Sequence, residues 1–261
     1  HIGIVGRNAW AHSPNGLLAF LSQDGVYLWQ IGSSDSPTRF SEEKIPEQFR
    51  SVDIDQTYVS MAYDIEFRGY HLFLTPETGV GTHWWLDVET RSIWPIRFAD
   101  DHQPLCAVSH ITDDGLPSVI LGCRDGYLRN FSSSAEDDDG VPYQSHVILG
   151  PVRFSENDAM SGMLSALDGS ISGATVHWRA FAGEDAESVA DQAVDAMDSL
   201  IAGGSAENVR AEGQWCGERN PGSRTRVRGP WVAILLSAST GQWAFEAVTA
   251  SIRSLGKQRV V

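Results

Sequence analysis

Two histidines and two cysteines lie close enough in the sequence to suggest a zinc site. They are His102, Cys106, His110 and Cys123, and imidazoles and thiolates are ligands that Zn²⁺ prefers in proteins. Cys106 and His110, however, lie on a predicted strand, where four residues span about 13 Å. Both ligands of one zinc ion must lie within about 2.3 Å of the metal, so this pair cannot chelate it. We therefore expect no metal and no cofactor.

A second candidate chemistry is glycoside hydrolysis, which needs two carboxylates. With 34 acidic residues in the chain, counting neither supports nor excludes such a pair. The segment 22–29, SQDGVYLW, resembles the Asp-box of sialidase-type propellers, except that Gly25 comes one position early. In that family the box is a structural turn. Asp24-Gly25 and Asp125-Gly126 predict two-residue hairpins with type I′ turns, so we expect no catalytic residues and no enzymatic activity.

The strongest binding signal is a group of basic residues near the C-terminus. Residues 213–261 hold seven bases against two acids, a net charge of +5, whereas the rest of the chain carries −20. After a turn predicted at 220–223, three of the arginines alternate and so share one face of a strand. Guanidinium groups bind carboxylates and phosphates alike, so a contact with an acidic subunit, which we favour, and phosphate binding both stay open. The seven bases are Arg219, Arg224, Arg226, Arg228, Arg253, Lys257 and Arg259.

Composition narrows the class of protein. The 261 residues are 42% hydrophobic, as in a globular protein with a sizeable core. The net charge of −15 argues against a protein that binds nucleic acid or an anionic membrane over its whole surface. No apolar run approaches the roughly 20 residues of a membrane-spanning helix, and three cysteines are too few for a disulfide framework. Because the chain starts at His1 without a leader pattern, we expect a fragment or a processed product.

Short repeated strands organise the first half of the chain. The runs are rich in Val, Ile, Tyr, Phe and Trp and are separated by turn residues, which is typical of antiparallel sheets. The two Asp-Gly pairs are 101 residues apart, or two units of about 50 residues, as in β-propeller blades. We predict about three blades in 1–140, an incomplete propeller. The predicted strands are 17–21, 26–30, 58–64, 70–75, 83–87, 92–97, 105–111, 118–121 and 127–131.

Beyond about residue 140 the repeat of short strands ends. Strands are predicted at 145–154, 174–181, 231–238 and 243–252, and a helix at 184–202. Val189, Ala193, Val194, Met197, Leu200 and Ile201 form the apolar stripe of that helix. The sequence thus predicts a mainly β protein, in which a β-sandwich-like domain with one helix, 141–261, follows the blades.

Several segments of the sequence resemble a known protein family. The runs GLLAFLSQDGVYLW, KIPEQF, YHLFLTP, WWLDVETRSIWPIRF and VILGCRDGYLRNF look like the propeller of bacteriophage tail proteins, notably the nozzle family of short-tailed phages. The final segment, RVRGPWVAILLSASTGQWAFEAVTASIRSLGKQR, is similar to the closing β-domain of such virion proteins. The resemblance implies a structural protein of the tail or neck that forms a homo-oligomeric ring, expected to be a hexamer. Its implied partners are tail and connector proteins and, transiently, the genomic DNA.

Three functions remain open at this point. The first is a virion protein that lines the DNA exit channel, is assembled in the host cytoplasm and has an acidic lumen that lets DNA slide past. The second is a secreted or surface propeller that binds or hydrolyses carbohydrate, in which exposed tryptophans stack on sugars. The third is a cellular propeller scaffold. We expect no membrane partner in the first case.

Overall fold

The computed structural model describes residues 2–41, 52–132, 135, 137–154, 160–216, 220–239 and 241–257, of which 160–161, 220–224 and 254–257 are described by their backbone only. The described protein is mainly β, with several antiparallel sheets and one α-helix, and none of these sheets closes on itself. The chain divides into two compact units, 1–133 and 134–261, whereas the sequence placed the division at 140/141. No helix of the described residues is long and apolar enough to cross a membrane.

Eleven strands of the N-terminal unit form three antiparallel sheets in chain order. The first sheet is β1-β2-β3-β4, the second is β5-β6-β7-β8, and the third is β9-β10-β11. The four strands predicted at 58–64, 70–75, 83–87 and 92–97 form the second sheet. The bounds are β1 Trp10–His12, β2 Leu17–Ser22, β3 Gly25–Gln30, β4 Thr38–Arg39, β5 Thr57–Asp64, β6 Gly69–Pro76, β7 Thr82–Asp87, β8 Ser92–Ile96, β9 Pro104–Ile111, β10 Pro117–Cys123 and β11 Leu128–Phe131.

The three sheets are arranged like a fan, with their first strands as neighbours. Strand β5 packs between β1 and β9. The Met61 amide donates to the carbonyl of Asn8 (2.9 Å), and the Ala107 amide donates to Ser60 Oγ (2.9 Å). Each later strand lies further out in its own sheet. The three sheets are therefore closest to one another at their first strands.

The middle sheet is buried on both faces because a neighbouring sheet covers each of them. Tyr70, Leu72 and Leu74 of β6 belong to a hydrophobic cluster shared with the first sheet. Phe73, between them on the opposite face, belongs to a cluster shared with the third sheet. Since successive side chains of a strand point to opposite faces, the continuous apolar run in β6 is what a strand between two layers requires.

The adjacent tryptophans of β7 show the same division. Trp84 is 7% exposed and packs in the cluster with the first sheet. The Trp85 ring lies on the other face, with its centroid 4.8 Å from that of His71. Since adjacent side chains of a strand point to opposite faces, the two tryptophans contribute to different cores.

The two Asp-Gly hairpins differ from the predicted type I′ turns. Such turns need positive φ angles at both central residues, but Asp24 and Asp125 have none, and the positive φ belongs to Gly25 (143°) and Gly126 (87°). Ser22 pairs with Gly25, so Gln23 and Asp24 form the loop of the first hairpin. In the second, the Gly126 amide donates to the Cys123 carbonyl (3.0 Å). A type I turn followed by a left-handed glycine, which also fits hairpin twist, replaces the predicted geometry there.

In the part of the C-terminal unit that the structure describes, seven strands and one helix are present. One sheet has the order β12-β17-β14-β15 and the other β16-β13-β18. The bounds are β12 Ser145–Arg153, β13 Met160–Gly173, β14 Val176–Gly183, α1 Ala186–Ile201, β15 Ala211–Trp215, β16 Asn220–Gly229, β17 Trp231–Ala238 and β18 Trp243–Lys257. The turn predicted at 220–223 is wrong, because these residues pair with β13 as part of β16.

The C-terminal unit has three layers. Val232, Ile234 and Leu236 of β17 share a hydrophobic cluster with Leu164 and Leu167 of β13, so the two sheets pack face to face. The intervening residues of β17, such as Ala233 and Leu235, point to the other face, where they pack against α1. The order of the layers is therefore α1, the four-stranded sheet and the three-stranded sheet.

Helix α1 is slightly shorter than the predicted 184–202. Asp185 caps its N-terminus, since its Oδ1 accepts the Ser188 amide (2.7 Å), as N-cap residues do. Val189, Ala193 and Ala196 are buried against the sheet. The predicted apolar stripe is wrong at Val194, which is 41% exposed, because it lies outside the arc that faces the sheet.

Candidate functional site

Three of the seven predicted basic residues meet on the outer face of the three-stranded sheet. Arg228 pairs with Met163 from one side, and Arg253 pairs with the same methionine from the other. The two arginines therefore flank Met163 in one row across the sheet. Arg226 is two residues from Arg228 on the same strand, and all three arginines are exposed.

The other four basic residues cannot be placed in this group by their side chains. Arg224 and Lys257 belong to β16 and β18, but only their backbone is described. Arg219 and Arg259 lie outside the described residues. A role in subunit or phosphate contact stays a prediction for all seven residues.

The arginines line a shallow groove of about 870 Å³, which we call the arginine groove and define by Arg226, Arg228, Arg253 and Met163. Among the residues whose side chains are described, the rest of its lining is made of serine, threonine and alanine, without an aromatic ring or a carboxylate. Within the described part of the chain, none of the three guanidinium groups forms an ion pair. Arginine stays charged at any physiological pH, so the groove holds three positive charges that no carboxylate of the described residues neutralises.

Two hydroxyls in the groove, those of Ser165 and Thr225, are already used by the sheet. Ser165 Oγ donates to the Ser251 carbonyl (2.9 Å), and Thr225 Oγ1 donates to the Leu164 carbonyl (2.7 Å). These bonds fall where the β13 register shifts between Leu164 and Ala166. The hydroxyls therefore stabilise the irregular ladder, and recognition by this groove depends on the arginines.

The other notable charge cluster of this unit was not singled out from the sequence. Four acids of α1, Glu187, Asp191, Asp195 and Asp198, are exposed and recur every three or four residues, so they share one side of the helix. We call them the acidic stripe. The helix contains no lysine or arginine. The spacing of these four acids is visible in the sequence and predicts the stripe, whereas the apolar positions predict only which side of the helix faces the sheet.

The zinc candidates do not come together. Cys106 lies exposed on β9, and Cys123 is buried on β10. His110 is also exposed on β9, four residues along the strand from Cys106. Among the described residues, no group of three or more histidines, cysteines and acids could hold a metal ion.

The aspartates of the two Asp-Gly hairpins are engaged by their own turns. Burial raises the pKa of Asp24, but the Tyr27 hydroxyl, which donates to its Oδ2 (2.8 Å), and the Arg39 guanidinium outweigh this, so the pKa is lowered. The hydrogen bond from Arg129 (2.9 Å) lowers the pKa of Asp125. Both carboxylates are thus held charged, which does not suit a general acid.

One buried histidine–carboxylate pair lies in the N-terminal unit. His71 Nε2 is 3.3 Å from Asp64 Oδ2, and both side chains are almost completely buried. Burial raises the pKa of Asp64, but the hydrogen bonds from His71 and from the amides of Phe67 and Glu66 outweigh this effect, so the pKa is lowered. Because Asp64 Oδ1 accepts both amides (3.0 and 2.8 Å), the pair closes the β5–β6 turn. Its contacts are those of a structural element.

Comparisons with known proteins add no assignment. No protein-family model matches the chain, and no curated protein matches it at a significant level.

Proposed function

We propose that this chain is a structural protein of a phage tail or neck, similar to the nozzle family and without enzymatic activity. In this proposal it forms a homo-oligomeric ring, a hexamer by resemblance to that family, that lines the DNA exit channel. It joins the connector to distal parts of the tail, contacts genomic DNA transiently and assembles in the host cytoplasm. Its location is then the virion, and it has no membrane partner.

The observation that carries the proposal is the fan of three sheets. Four-stranded antiparallel units that stack face to face, with their first strands as neighbours, are the building principle of a β-propeller. We infer that the N-terminal unit is a sector of such a propeller, with β5–β8 as one blade. The two sheets of the C-terminal unit, which share one core, support the inference of a β-sandwich-like domain.

Charge supports a channel-lining role over DNA capture. A net charge of −15 repels phosphates, so DNA can pass such a surface without being held. The positive charges that the structure describes as a group are confined to the arginine groove on one face of the C-terminal unit. A protein that grips DNA along its path needs many more phosphate contacts than these.

Immunoelectron microscopy tests the proposal. An antibody raised against the chain is expected to label the tail or neck of virions produced from the genome that encodes it. Deleting the gene is expected to leave DNA-filled heads that lack the distal tail. Labelling of the host cell surface, or intact infectious particles without the protein, would contradict the virion role.

A carbohydrate-binding propeller is the second candidate, and one observation favours it. Trp94 is 54% exposed on β8, and an exposed indole can stack on a sugar ring. The Trp94 Nε1 already donates to Ser92 Oγ (2.9 Å), which fixes the ring to its own strand. A glycan array separates the candidates: binding to a defined glycan that is lost in Trp94→Ala supports the carbohydrate candidate, and its absence supports the virion proposal.

A further inference from the structure

The acidic stripe is unfavourable for the helix that carries it. Glu187, Asp191 and Asp195 follow one another at i,i+4, where like charges repel by a few tenths of a kcal/mol per pair. Asp198 lies in the last turn, where the helix dipole disfavours a negative charge. Within the described residues, Asp191 and Asp195 have no ion pair with a base. A cation from outside the unit would relieve this repulsion.

The arginine groove and the acidic stripe face away from each other. Helix α1 covers one face of the four-stranded sheet through Phe181, Ala233 and Leu235. The three-stranded sheet covers the opposite face and exposes its arginines on its own outer side. One unit therefore presents a negative surface on one side and a positive surface on the other, and a single copy cannot bring the two together.

The two surfaces also match in their apolar centres. Val194, with its 41% exposure, borders the acidic stripe between Asp191 and Asp198. Met163 lies between Arg228 and Arg253 in the groove. An apolar centre with a charged rim is the usual layout of a protein–protein interface.

The distances between the arginines of the groove are also similar to those between the acids of the stripe. Two arginines two residues apart on a strand are about 7 Å apart, and Arg228 and Arg253 are separated by two strand spacings of about 4.8 Å. Along the helix, Asp191 and Asp195 are about 6 Å apart, and Asp198 follows about 4.5 Å further on. Because arginine side chains are long and flexible, each can reach one of these carboxylates.

We propose that α1 of one copy binds in the arginine groove of the next copy, with Asp191, Asp195 and Asp198 facing Arg226, Arg228 and Arg253. The occupant of the groove is thus a second copy of this chain, which is chosen over DNA because the described lining of the groove has no aromatic ring and the chain is strongly acidic. The contact joins two different surfaces, so it is heterologous, and a heterologous contact that closes makes a ring. This inference rests on the proposed ring and names its interface.

Two neutralised variants test the interface in the full chain. The groove variant carries Arg226→Gln, Arg228→Gln and Arg253→Gln, and the stripe variant carries Asp191→Asn, Asp195→Asn and Asp198→Asn. Sedimentation velocity is expected to show assemblies of the native chain that dissociate as salt is raised, because interface charges are screened. Each variant alone is expected to associate about a hundredfold more weakly, and so to sediment as a monomer.

Mixing the variants gives the decisive result. Each retains one intact surface, so an equimolar mixture should form a heterodimer that cannot grow further. Matched controls remove the same charge elsewhere: Arg7, Arg68 and Arg91 to Gln, or Asp100, Asp113 and Asp114 to Asn. These exposed residues of the N-terminal unit should leave the assembly unchanged.

The outcomes separate this interface from the proposed function. If the native chain assembles and both variants assemble equally well, or if the mixture stays monomeric, the interface is refuted while the ring stands. A native chain that stays monomeric at every salt concentration also refutes the interface, and the labelling of virions then decides the function by itself. A groove variant that assembles normally but no longer retains a short DNA duplex would identify the groove as a phosphate site instead.

Discussion

His83 is the residue through which acid is expected to destabilise the N-terminal unit. Its side chain is 1% exposed and packs against Phe73 and Phe98, with centroid distances of 5.7 and 5.2 Å. Its Nε2 lies 2.8 Å from Gln103 Oε1. Burial lowers the pKa of His83 to about 4, because removal from water penalises the imidazolium ion. The folded unit therefore keeps this imidazole neutral.

The size and sign of the effect follow from the two pKa values. In the unfolded chain the imidazole titrates near pH 6.5. Between pH 6.5 and about 4 the unfolded state binds a proton that the folded state does not, so the free energy of unfolding falls as the pH falls. A difference of about 2.5 pH units at about 1.36 kcal/mol per unit amounts to about 3 kcal/mol. The lowered pKa values of Asp64 and Asp87 act in a separate window, because the stability they contribute is lost only as the pH falls below about 3.9.

Hydrogen exchange of the β6 and β7 amides, measured from pH 7 to pH 4 and corrected for intrinsic exchange, reports the local free energy of opening. The native chain should lose about 3 kcal/mol over this range, and His83→Phe should remove most of that loss. In the variant, Gln103 Oε1 still accepts the Gly81 amide (2.8 Å), so it is not left unpaired. The exposed His12, replaced by Gln, is the matched control. An unchanged pH dependence in His83→Phe would refute the reasoning.

Two further substitutions test the packing and the first hairpin. Gly69→Ala should destabilise the N-terminal unit by about 1–3 kcal/mol, because a Cβ there would meet the Trp85 ring. Gly6→Ala is the control, since the space around Gly6 is open. Equal urea midpoints for the two variants would contradict the expectation. Asp24→Asn should cost about 0.5–1 kcal/mol through the weakened ion pair with Arg39 and leave the hairpin, the assembly and DNA delivery intact; loss of a sugar-cleaving activity from the folded variant would instead establish an enzyme.

Much of the N-terminal unit could be predicted because its strands follow a simple pattern. Strands β5 to β8 are short runs of β-branched and aromatic residues between turn residues, and their bounds differ from the predicted ones by at most one residue. The turn types could not be predicted in the same way. An Asp-Gly pair fits both a type I′ turn and a type I turn followed by a left-handed glycine, and the register of the flanking strands decides between them.

Strand β13 shows why part of the C-terminal unit was missed. Its buried residues Leu164, Leu167 and Ile171 are three and four positions apart, which is a helical spacing, and the intervening residues are mostly small. Its pairing with β18 shifts register between 164 and 166 and between 170 and 171. The first shift leaves Ser165 as an extra residue in β13 and so reverses the alternation of that strand, whereas the second leaves Glu246 as an extra residue in β18. Because of the reversal, one continuous period of two does not run through β13.

The candidate site depends on the same strand. Arg226 and Arg228 were expected to share a face, and they do, but only β13 brings them beside Arg253, which follows 25 residues later in the sequence. The row Arg228–Met163–Arg253 exists because β13 lies between β16 and β18. Without that strand, the sequence shows a basic segment but not a groove.

The two boundaries of the middle sheet are built differently, and this difference fixes the order of the three sheets. Towards the first sheet the contact is mainly apolar, and its described hydrogen bonds run from the Tyr70 hydroxyl to the Leu17 carbonyl (2.6 Å) and from the Met61 amide to the Asn8 carbonyl (2.9 Å). Towards the third sheet it includes buried polar groups: Gln103 accepts from His83 and donates to the carbonyls of Phe98 and Ala99 (both 3.1 Å). A buried polar group tolerates only the partner that satisfies it, whereas an apolar surface accepts any complementary shape. The polar boundary therefore favours the third sheet in the register that brings Gln103 beside His83, because another arrangement would leave these buried groups without that partner.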